Sequence, residues 1–303
     1  MTEGWAEPTP TTPEGAARPE PVDQDAGPQS AEAPPAAAGG AHRKDAPKST
    51  AGLDVRGLGL RIGGVIALSE LSFQMPVGGL YAVIGPNGAG KTSFFNCLTG
   101  YYKATSGTAT WNGRSLIGVP SRKVAARGVR RTFQNLRILG NLTVAENVLT
   151  GAYVRSPRRL DQILVPIGAG RRLDRALKEE AASWIARVGL ADVADKAAAD
   201  LPYGARKRLE IARALIGAPE LLLLDEPAAG ISSVEREQFS ELVLSLHADG
   251  LSILLIEHDV ELVMRLAEHV LVLDYGKLLA SGAPDQVRND PEVIRAYMGE
   301  PVK

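Results

Sequence analysis

One cysteine stands among 303 residues, aromatic residues make up 5% of the chain, and no apolar run approaches the roughly 18 residues that a membrane-crossing helix requires. A single thiol cannot close an intramolecular disulfide, so the fold does not depend on an oxidising compartment. Cys97, inside the apolar segment Phe94–Leu98, reads as a buried thiol. An excess of positive charge is also lacking: 34 Lys and Arg stand against 35 Asp and Glu, a net charge of −1, which argues against a protein that coats nucleic acid by charge alone. The first residues lack the basic start and apolar stretch of an export signal, since Glu3, Glu7 and several prolines occupy that place. The expectation is a protein that reaches a membrane, if at all, through a partner.

Proline and alanine are concentrated at one end. Residues 1–50 hold nine of the twenty prolines, eleven alanines and eight acidic against four basic side chains, with Trp5 as the only aromatic residue. Such a segment buries too little surface to offset the entropy of ordering, so disorder is expected there. The remaining body reads as α/β. Three short apolar runs, Leu80–Ile84, Leu221–Leu224 and Ile253–Ile256, lack alternation, as strands of a parallel sheet buried on both faces do. Helical patterns follow them at Lys91–Leu98, Ser233–His247 and Val260–Ala267. A fourth strand is expected at His269–Leu273, turning through Asp274–Lys277 into Leu278–Ala280. From about 135 to 220 the texture changes to helix, at Thr143–Thr150, Leu173–Val188 and Arg206–Ile216, which predicts a helical subdomain inserted between two strands.

The most informative stretch is Gly85-Pro86-Asn87-Gly88-Ala89-Gly90-Lys91-Thr92, followed by Ser93. It fits G-x-x-x-x-G-K-[ST] directly after a predicted strand and at the start of a helix. Glycines let the backbone N–H groups turn inward around an anion, the helix N-terminus adds partial positive charge, Lys91 reaches β- and γ-phosphates, and Thr92 ligates Mg²⁺. A second pair, Asp225 and Glu226, closes the run Leu221–Leu224. At that edge of an open sheet Asp225 serves as the metal-side acid and Glu226 as the general base for an attacking water. Taken alone, the pair stands evenly between a site and a solvated turn; the phosphate loop tips the balance. His258 again lies just past a buried strand, so three strands deliver Lys91, Glu226 and His258 to one edge, and a γ-phosphate contact is the favoured reading. Asp259 reads as the cap of the next helix. By the residues alone, Gln134 stands between a ligand of Mg²⁺ or water and an ordinary solvent-facing glutamine. Leu201-Pro202-Tyr203-Gly204 precedes a helix whose expected first turn is Ala205–Arg208; its basic residues oppose the helix dipole, and a solvated basic face is the default reading.

Taken together, these residues resemble the ATP-binding subunit of ABC transporters, in the order phosphate loop, Gln134, Leu201–Ala205, Asp225-Glu226, His258, over about residues 52–300. The resemblance makes Gly85–Thr92 the Walker A motif, Leu221–Asp225 the Walker B strand, Gln134 the Q-loop, a metal and catalytic-water ligand, Leu201–Ala205 the signature that meets a partner's ATP, and His258 the switch histidine. It implies an α/β P-loop NTPase fold with a RecA-like core, an antiparallel sheet and an inserted α-helical subdomain across 51–303, working as a head-to-tail dimer around two ATP molecules with Mg²⁺. Finer strings are similar to the branched-chain amino acid importer subgroup (LivG-like): Phe95–Gly100, Arg131–Asn135 leading to Leu142–Asn147, Arg208–Arg213, Pro227–Gly230, and Asn289-Asp290-Pro291 running to Ala296-Tyr297.

The function this resemblance implies is ATP hydrolysis coupled to uptake of leucine, isoleucine and valine. Its implied partners are membrane permease subunits, a second and related ATP-binding subunit, and indirectly an extracytoplasmic solute-binding protein, with no nucleic acid. The implied location is the cytoplasmic face of the membrane. The alternatives are another cargo, such as other amino acids, urea or short amides, or a soluble ABC ATPase, which generally carries paired units, coiled-coil arms or basic tails that this sequence lacks. A regulatory subunit of low turnover is a third, suggested by Pro202 and opposed by Lys91, Asp225, Glu226 and His258. The signature departs from the usual Leu-Ser-Gly-Gly-Gln: Pro202 replaces serine, Tyr203 the first glycine and Ala205 the glutamine. Pro202 offers neither hydroxyl nor N–H, so slower hydrolysis is expected at the site this segment completes. Ile62 stands where an adenine-stacking aromatic is common, and Ser232 where the dimer-contacting loop often has Asp. Residues 151–178 carry seven basic and two acidic side chains around the apolar stretch Ile163–Ile167, which stands between a loop lying near the anionic leaflet and an ordinary solvated loop, with Arg158, Arg159, Arg171 and Arg172 as the test positions.

Overall fold

The computed structural model describes residues 51–132, 138–154 and 171–298. The expected disorder of residues 1–50, the placement of Gln134 and most of the basic segment, including Arg158 and Arg159, therefore lie outside the described residues. So do the side chains of Arg171 and Arg172.

Two sheets organise the described body. A six-stranded sheet takes β3 (Leu80–Ile84), β6 (Val129–Arg131), β7 (Leu221–Asp225), β8 (Ser252–Ile256), β9 (His269–Asp274) and β10 (Lys277–Gly282) in the order β10-β9-β3-β8-β7-β6. All neighbouring pairs are parallel except the antiparallel edge strand β10. The three continuous apolar runs are thus β3, β7 and β8, side by side at its centre. Burial on both faces explains their composition: Leu222, Leu224, Ile253 and Leu255 face one core, whereas Leu221, Leu223, Leu254 and Ile256 face the other.

The second sheet is four-stranded, in the order β2-β1-β4-β5, from β1 (Leu53–Ile62), β2 (Val65–Met75), β4 (Ser106–Trp111) and β5 (Arg114–Ser115). No continuous apolar run announces it in the sequence. β1 and β2 form an antiparallel hairpin whose register shifts repeatedly between Val55 and Arg61, and Gly57 and Gly59 interrupt the alternation that marks a half-buried strand. Ile62 pairs with Val65 across Gly63-Gly64, both at positive φ (53° and 91°), as a tight two-residue turn requires. This sheet packs through Leu58, Leu68 and the fully buried Trp111 onto the same core that receives Phe94 and Phe95 of α1 (Lys91–Leu98).

Between β6 and β7 in the chain lie α3 (Val144–Gly151), α4 (Arg171–Arg187) and α5 (Tyr203–Leu215), after the short α2 (Ser121–Ala126). Helix α3 begins in a reciprocal cap: Thr143 Oγ1 accepts from the Glu146 N–H and Glu146 Oε2 from the Thr143 N–H. Its Val148 packs with Ile185 of α4 and Leu209 of α5 in one core. Helix α5 starts at Tyr203, not at Ala205 or Arg206, because Pro202 can end an extended segment (φ −56°, ψ 157°) while its carbonyl accepts the first helical bond from the Arg206 N–H. Lys207 of this helix is buried, whereas Arg206 and Arg208 are half-buried, so the basic stretch is not a wholly solvated face. α6 (Ser233–Ala248) and α7 (Val260–Leu266) follow β7 and β8, and α8 (Pro284–Arg288) and α9 (Pro291–Met298) end the described chain.

Candidate functional site

Strand β3 stops at Ile84, and Gly85–Gly90 wraps into the N-terminus of α1. Two glycines are obligatory by geometry. Gly85 (φ 147°) has its backbone against the Leu273 carbonyl, and Gly90 (φ 101°) against that of Ala67, so that any Cβ would collide. The loop borders a cavity of about 360 Å³ lined by Asn87–Ser93, the hairpin residues Val65–Ala67, Glu226 and His258. Lys91 is buried and its ammonium donates to the carbonyls of Gly85 (2.6 Å) and Pro86 (3.0 Å). Burial pulls its pKa below the ordinary lysine value, while the charges of Glu226 and Asp225 push the other way. Thr92 is exposed and Ser93 half-buried on the same wall.

Strands β7 and β8 bring the acids to this wall. Asp225 is 1% exposed, and its Oδ2 takes an ion pair from Arg131 of β6 at 2.6 Å. Arg131 is itself held by Asn96 Oδ1 (2.7 Å) and Thr99 Oγ1 (3.2 Å) of the α1 region. The other carboxylate oxygen, Oδ1, is buried without a partner, so one acceptor of Asp225 remains unused. Glu226 is the first residue past the strand and sits in the left-handed region at φ 49°. For a residue with a Cβ this costs about 1–2 kcal/mol. Its backbone is fixed on both sides: the N–H donates to the Ile256 carbonyl (2.9 Å) and the carbonyl accepts from Lys207 Nζ (2.6 Å). Its Oε1 lies 2.7 Å from His258 Nε2. Asp259 caps α7, accepting from the Leu262 N–H at 3.0 Å, and pairs with Arg236 at 2.8 Å.

The cavity therefore gathers the loop Asn87–Ser93, Glu226 and His258, with Asp225 just beneath. It does not gather the segment Leu201–Ala205, none of which lines it. Leu201, Gly204 and Ala205 are buried, and Tyr203 is 42% exposed. A Cβ at Gly204 would meet the carboxylate end of the Glu235 side chain, which would have to swing aside. Ser232 uses its hydroxyl to accept from the Glu235 N–H (3.3 Å), capping α6. Ile62 is exposed at the hairpin tip, and the apolar lip of the cavity is formed by Val65 and Ile66.

Three residues of this constellation carry no motif that marks them in the sequence: Arg131, Lys207 and Glu257. Glu257 is 3% exposed, and its carboxylate accepts from the backbone N–H groups of Ala228 (2.7 Å) and His258 (3.0 Å). A carboxylate placed directly after a wholly buried strand needs donors on hand, which was its one signal in the sequence.

Comparison with known proteins completes the description. Residues 68–229 match the family model for the ABC transporter, and residues 277–303 that of the branched-chain amino acid ATP-binding cassette transporter. The chain is 44% identical, over 82% of its length and 98% of the relative's, to the high-affinity branched-chain amino acid transport ATP-binding protein LivG of Salmonella typhimurium. It is 41% identical over the same shares to BraF of Pseudomonas aeruginosa, which bears the same description. Among solved structures it superposes on the ADP conformation of an ATP-binding cassette of an ABC transporter with a TM-score of 0.72 and 29% identity, covering 82% of this chain and 98% of that one.

Proposed function

The chain belongs to the ABC transporter family of ATP-binding cassettes, and from that premise we propose that it is the ATP-hydrolysing subunit of a branched-chain amino acid importer. The observation that carries the chemistry is the contact of 2.7 Å between Glu226 Oε1 and His258 Nε2 across the cavity from the glycine loop. The likeness to LivG and BraF, together with the C-terminal match at 277–303, supports leucine, isoleucine and valine as cargo.

In this reading the loop N–H groups of Gly88–Thr92 and the start of α1 seat the phosphates of ATP. Lys91 exchanges its two carbonyl contacts for β- and γ-phosphate oxygens, where its charge offsets the charge that grows as the bond breaks. Glu226 accepts a proton from water as the water oxygen bonds to the γ-phosphorus. The bond from that phosphorus to the β,γ-bridging oxygen breaks, ADP departs with the electron pair, and the proton leaves Glu226 with the phosphate. His258 holds the γ-phosphate and orients Glu226. Mg²⁺ fits the donor set: Thr92, the unpartnered Oδ1 of Asp225 and, by the family resemblance, Gln134 would hold it. When bound it supplies positive charge to the β- and γ-oxygens.

Leu201–Ala205 then faces the ATP of a second, related ATP-binding subunit, with Gly204, the local N–H groups and the α5 N-terminus making the contact in place of the missing serine and glutamine. Permease subunits carry the pathway through the membrane, a solute-binding protein delivers cargo outside, and the chain rides on the cytoplasmic face. No helix among the described residues is long and apolar enough to cross a membrane. The test is uptake of labelled leucine by cells lacking this chain, complemented with the natural sequence or Glu226→Gln at equal expression. Rescue by the natural sequence alone is the expected result. Failure of leucine uptake with rescue of another amino acid, urea or a short amide would reassign the cargo and leave the ATPase reading in place.

A further inference from the structure

Glu226 and His258 sit on different loops, and their contact exists only if those loops keep register beyond the end of the sheet. The β7–β8 ladder ends at the pair Asp225 and Ile256, with one last bond from the Glu226 N–H to the Ile256 carbonyl. Past that point no strand pairing ties Glu226 to His258. What joins the two loops there is a side chain. Glu257, on the β8 loop, reaches across to the β7 loop and accepts the Ala228 N–H on Oε1 at 2.7 Å, while Oε2 accepts the His258 N–H at 3.0 Å. The Asp259 N–H is a further donor to the same carboxylate. One buried carboxylate thus spans a residue two positions after Glu226 and the peptide of His258 itself.

The second component comes from α5. Lys207, 6% exposed, places its ammonium 2.6 Å from the Glu226 carbonyl and 5.4 Å from the Tyr203 ring centre, and its charge acts on Glu257 as well. Lys207 therefore holds the left-handed peptide of Glu226 from one side while Glu257 holds the following turn from the other. Both groups are buried and neither lines the cavity. A carboxylate and an ammonium enclosed in this way are satisfied by protein groups rather than water, so a shift of either loop would leave a buried charged group short of its hydrogen bonds.

We propose that Glu257 and Lys207 are positioning residues for hydrolysis, a buried brace that sets the separation of Glu226 from His258 and ties it to the helix bearing the signature segment. This rests on the reading of Glu226 as the base. The brace predicts an effect on the chemical step alone, because the glycine loop and Lys91 are anchored elsewhere.

The test uses the full-length chain, with nucleotide affinity measured with a fluorescent ATP analogue and turnover measured by phosphate release. Glu257→Gln keeps the shape but sets an amide N–H against a backbone N–H, since both oxygens are acceptors. The expected result is a fall in kcat of about 10- to 100-fold, as for a misplacement of an ångström or less, with KM and nucleotide affinity held within about twofold. Lys207→Met is expected to move the same way and stands in if Glu257→Gln does not fold. In the Glu226→Gln background, neither change should reduce the residual rate further, because nothing remains to be positioned. A wild-type kcat in both variants, a rise in KM at unchanged kcat, or an equal fall in the Glu226→Gln background would overturn the brace. Wild-type hydrolysis by Glu226→Gln itself would overturn the reading of the base and the brace with it, so the two failures are told apart.

Discussion

At the amino ends of β3, β7 and β8, polar side chains are occupied by neighbours that ask nothing further of them. Glu220 Oε2 accepts from Trp111 Nε1 (2.9 Å) and Asn112 Nδ2 (3.0 Å), Ser252 Oγ accepts from the Gly78 N–H (2.8 Å), and Glu268 Oε2 from the Leu80 N–H (3.2 Å). At the carboxyl ends of the same strands the residue types are similar and the accounting is different. Asp225 keeps a buried oxygen without a partner, Glu226 is held at φ 49°, and Lys91 spends its charge on two neutral carbonyls. A carboxylate at a strand end is thus uninformative by itself. What separates a site from a staple is a carboxylate oxygen left over once the fold has been satisfied; left-handed backbone alone does not, since Asn112 and Ala218 at the amino end also sit at φ 47°.

Substitutions at the two ends should therefore divide between activity and stability. The largest effect is expected at the carboxyl end. Lys91→Met and Glu226→Gln should each cut phosphate release by roughly 10²- to 10⁴-fold, with the urea midpoint nearly unchanged. Nucleotide binding should separate them, being lost in Lys91→Met and kept in Glu226→Gln. A large drop in midpoint alongside the loss of activity would mean that these residues hold the fold together, and the contrast would collapse.

Next in size comes the amino end. Glu220→Ala removes the acceptor from the indole N–H of the fully buried Trp111. An orphaned donor of this kind costs about 1–3 kcal/mol, visible as a lowered urea midpoint, while turnover per folded molecule stays at the natural value. Loss of turnover in the fraction that remains folded would show the two ends to be coupled through the strands.

The sequence makes the carboxyl end legible in proportion to how local its chemistry is. Gly85–Thr92 needs only its own backbone and the helix it starts, so eight consecutive residues reveal it. Buried strands β3, β7 and β8 are legible because both faces demand apolar side chains. The hairpin of β1 and β2 is not, since Gly57, Gly59 and the register shifts break its alternation. The start of α5 is misread for a related reason: the basic residues Arg206–Arg208 look like a helix opening, whereas Pro202 had already set it. Lys207 and Glu257 act through partners 19 and 29 residues away, Glu226 and Ala228. Those contacts are tertiary; the one local sign is that Glu257 directly follows a wholly buried strand, and Lys207 has none.

A smaller effect, of opposite sign, tests the strain directly. Glu226→Gly removes the Cβ that makes φ 49° unfavourable, and should raise stability by up to about 1 kcal/mol, less the extra freedom glycine has when unfolded. Hydrolysis should be lost at the same time. A Glu226→Gly chain that is clearly less stable than the natural one would mean that the Glu226 side chain contributes more to the fold than its backbone costs.

The smallest signal sharpens the comparison by reporting on opening without touching either end. Cys97 lies in α1 with no exposed surface, and burial pushes its thiol up to about 11. At pH near 8 the thiolate that reacts with alkylating reagents is then scarce and enclosed, so modification should wait on unfolding. Alkylation of Cys97 in the natural chain should be undetectable over the time that denatured protein reacts fully. Glu220→Ala should speed it in proportion to the stability lost, because any global opening exposes α1, whereas Glu226→Gln should leave it unchanged. Faster labelling in Glu226→Gln than in Glu220→Ala would place the stabilising contacts at the carboxyl end and reverse the division of labour drawn between the two ends of the sheet.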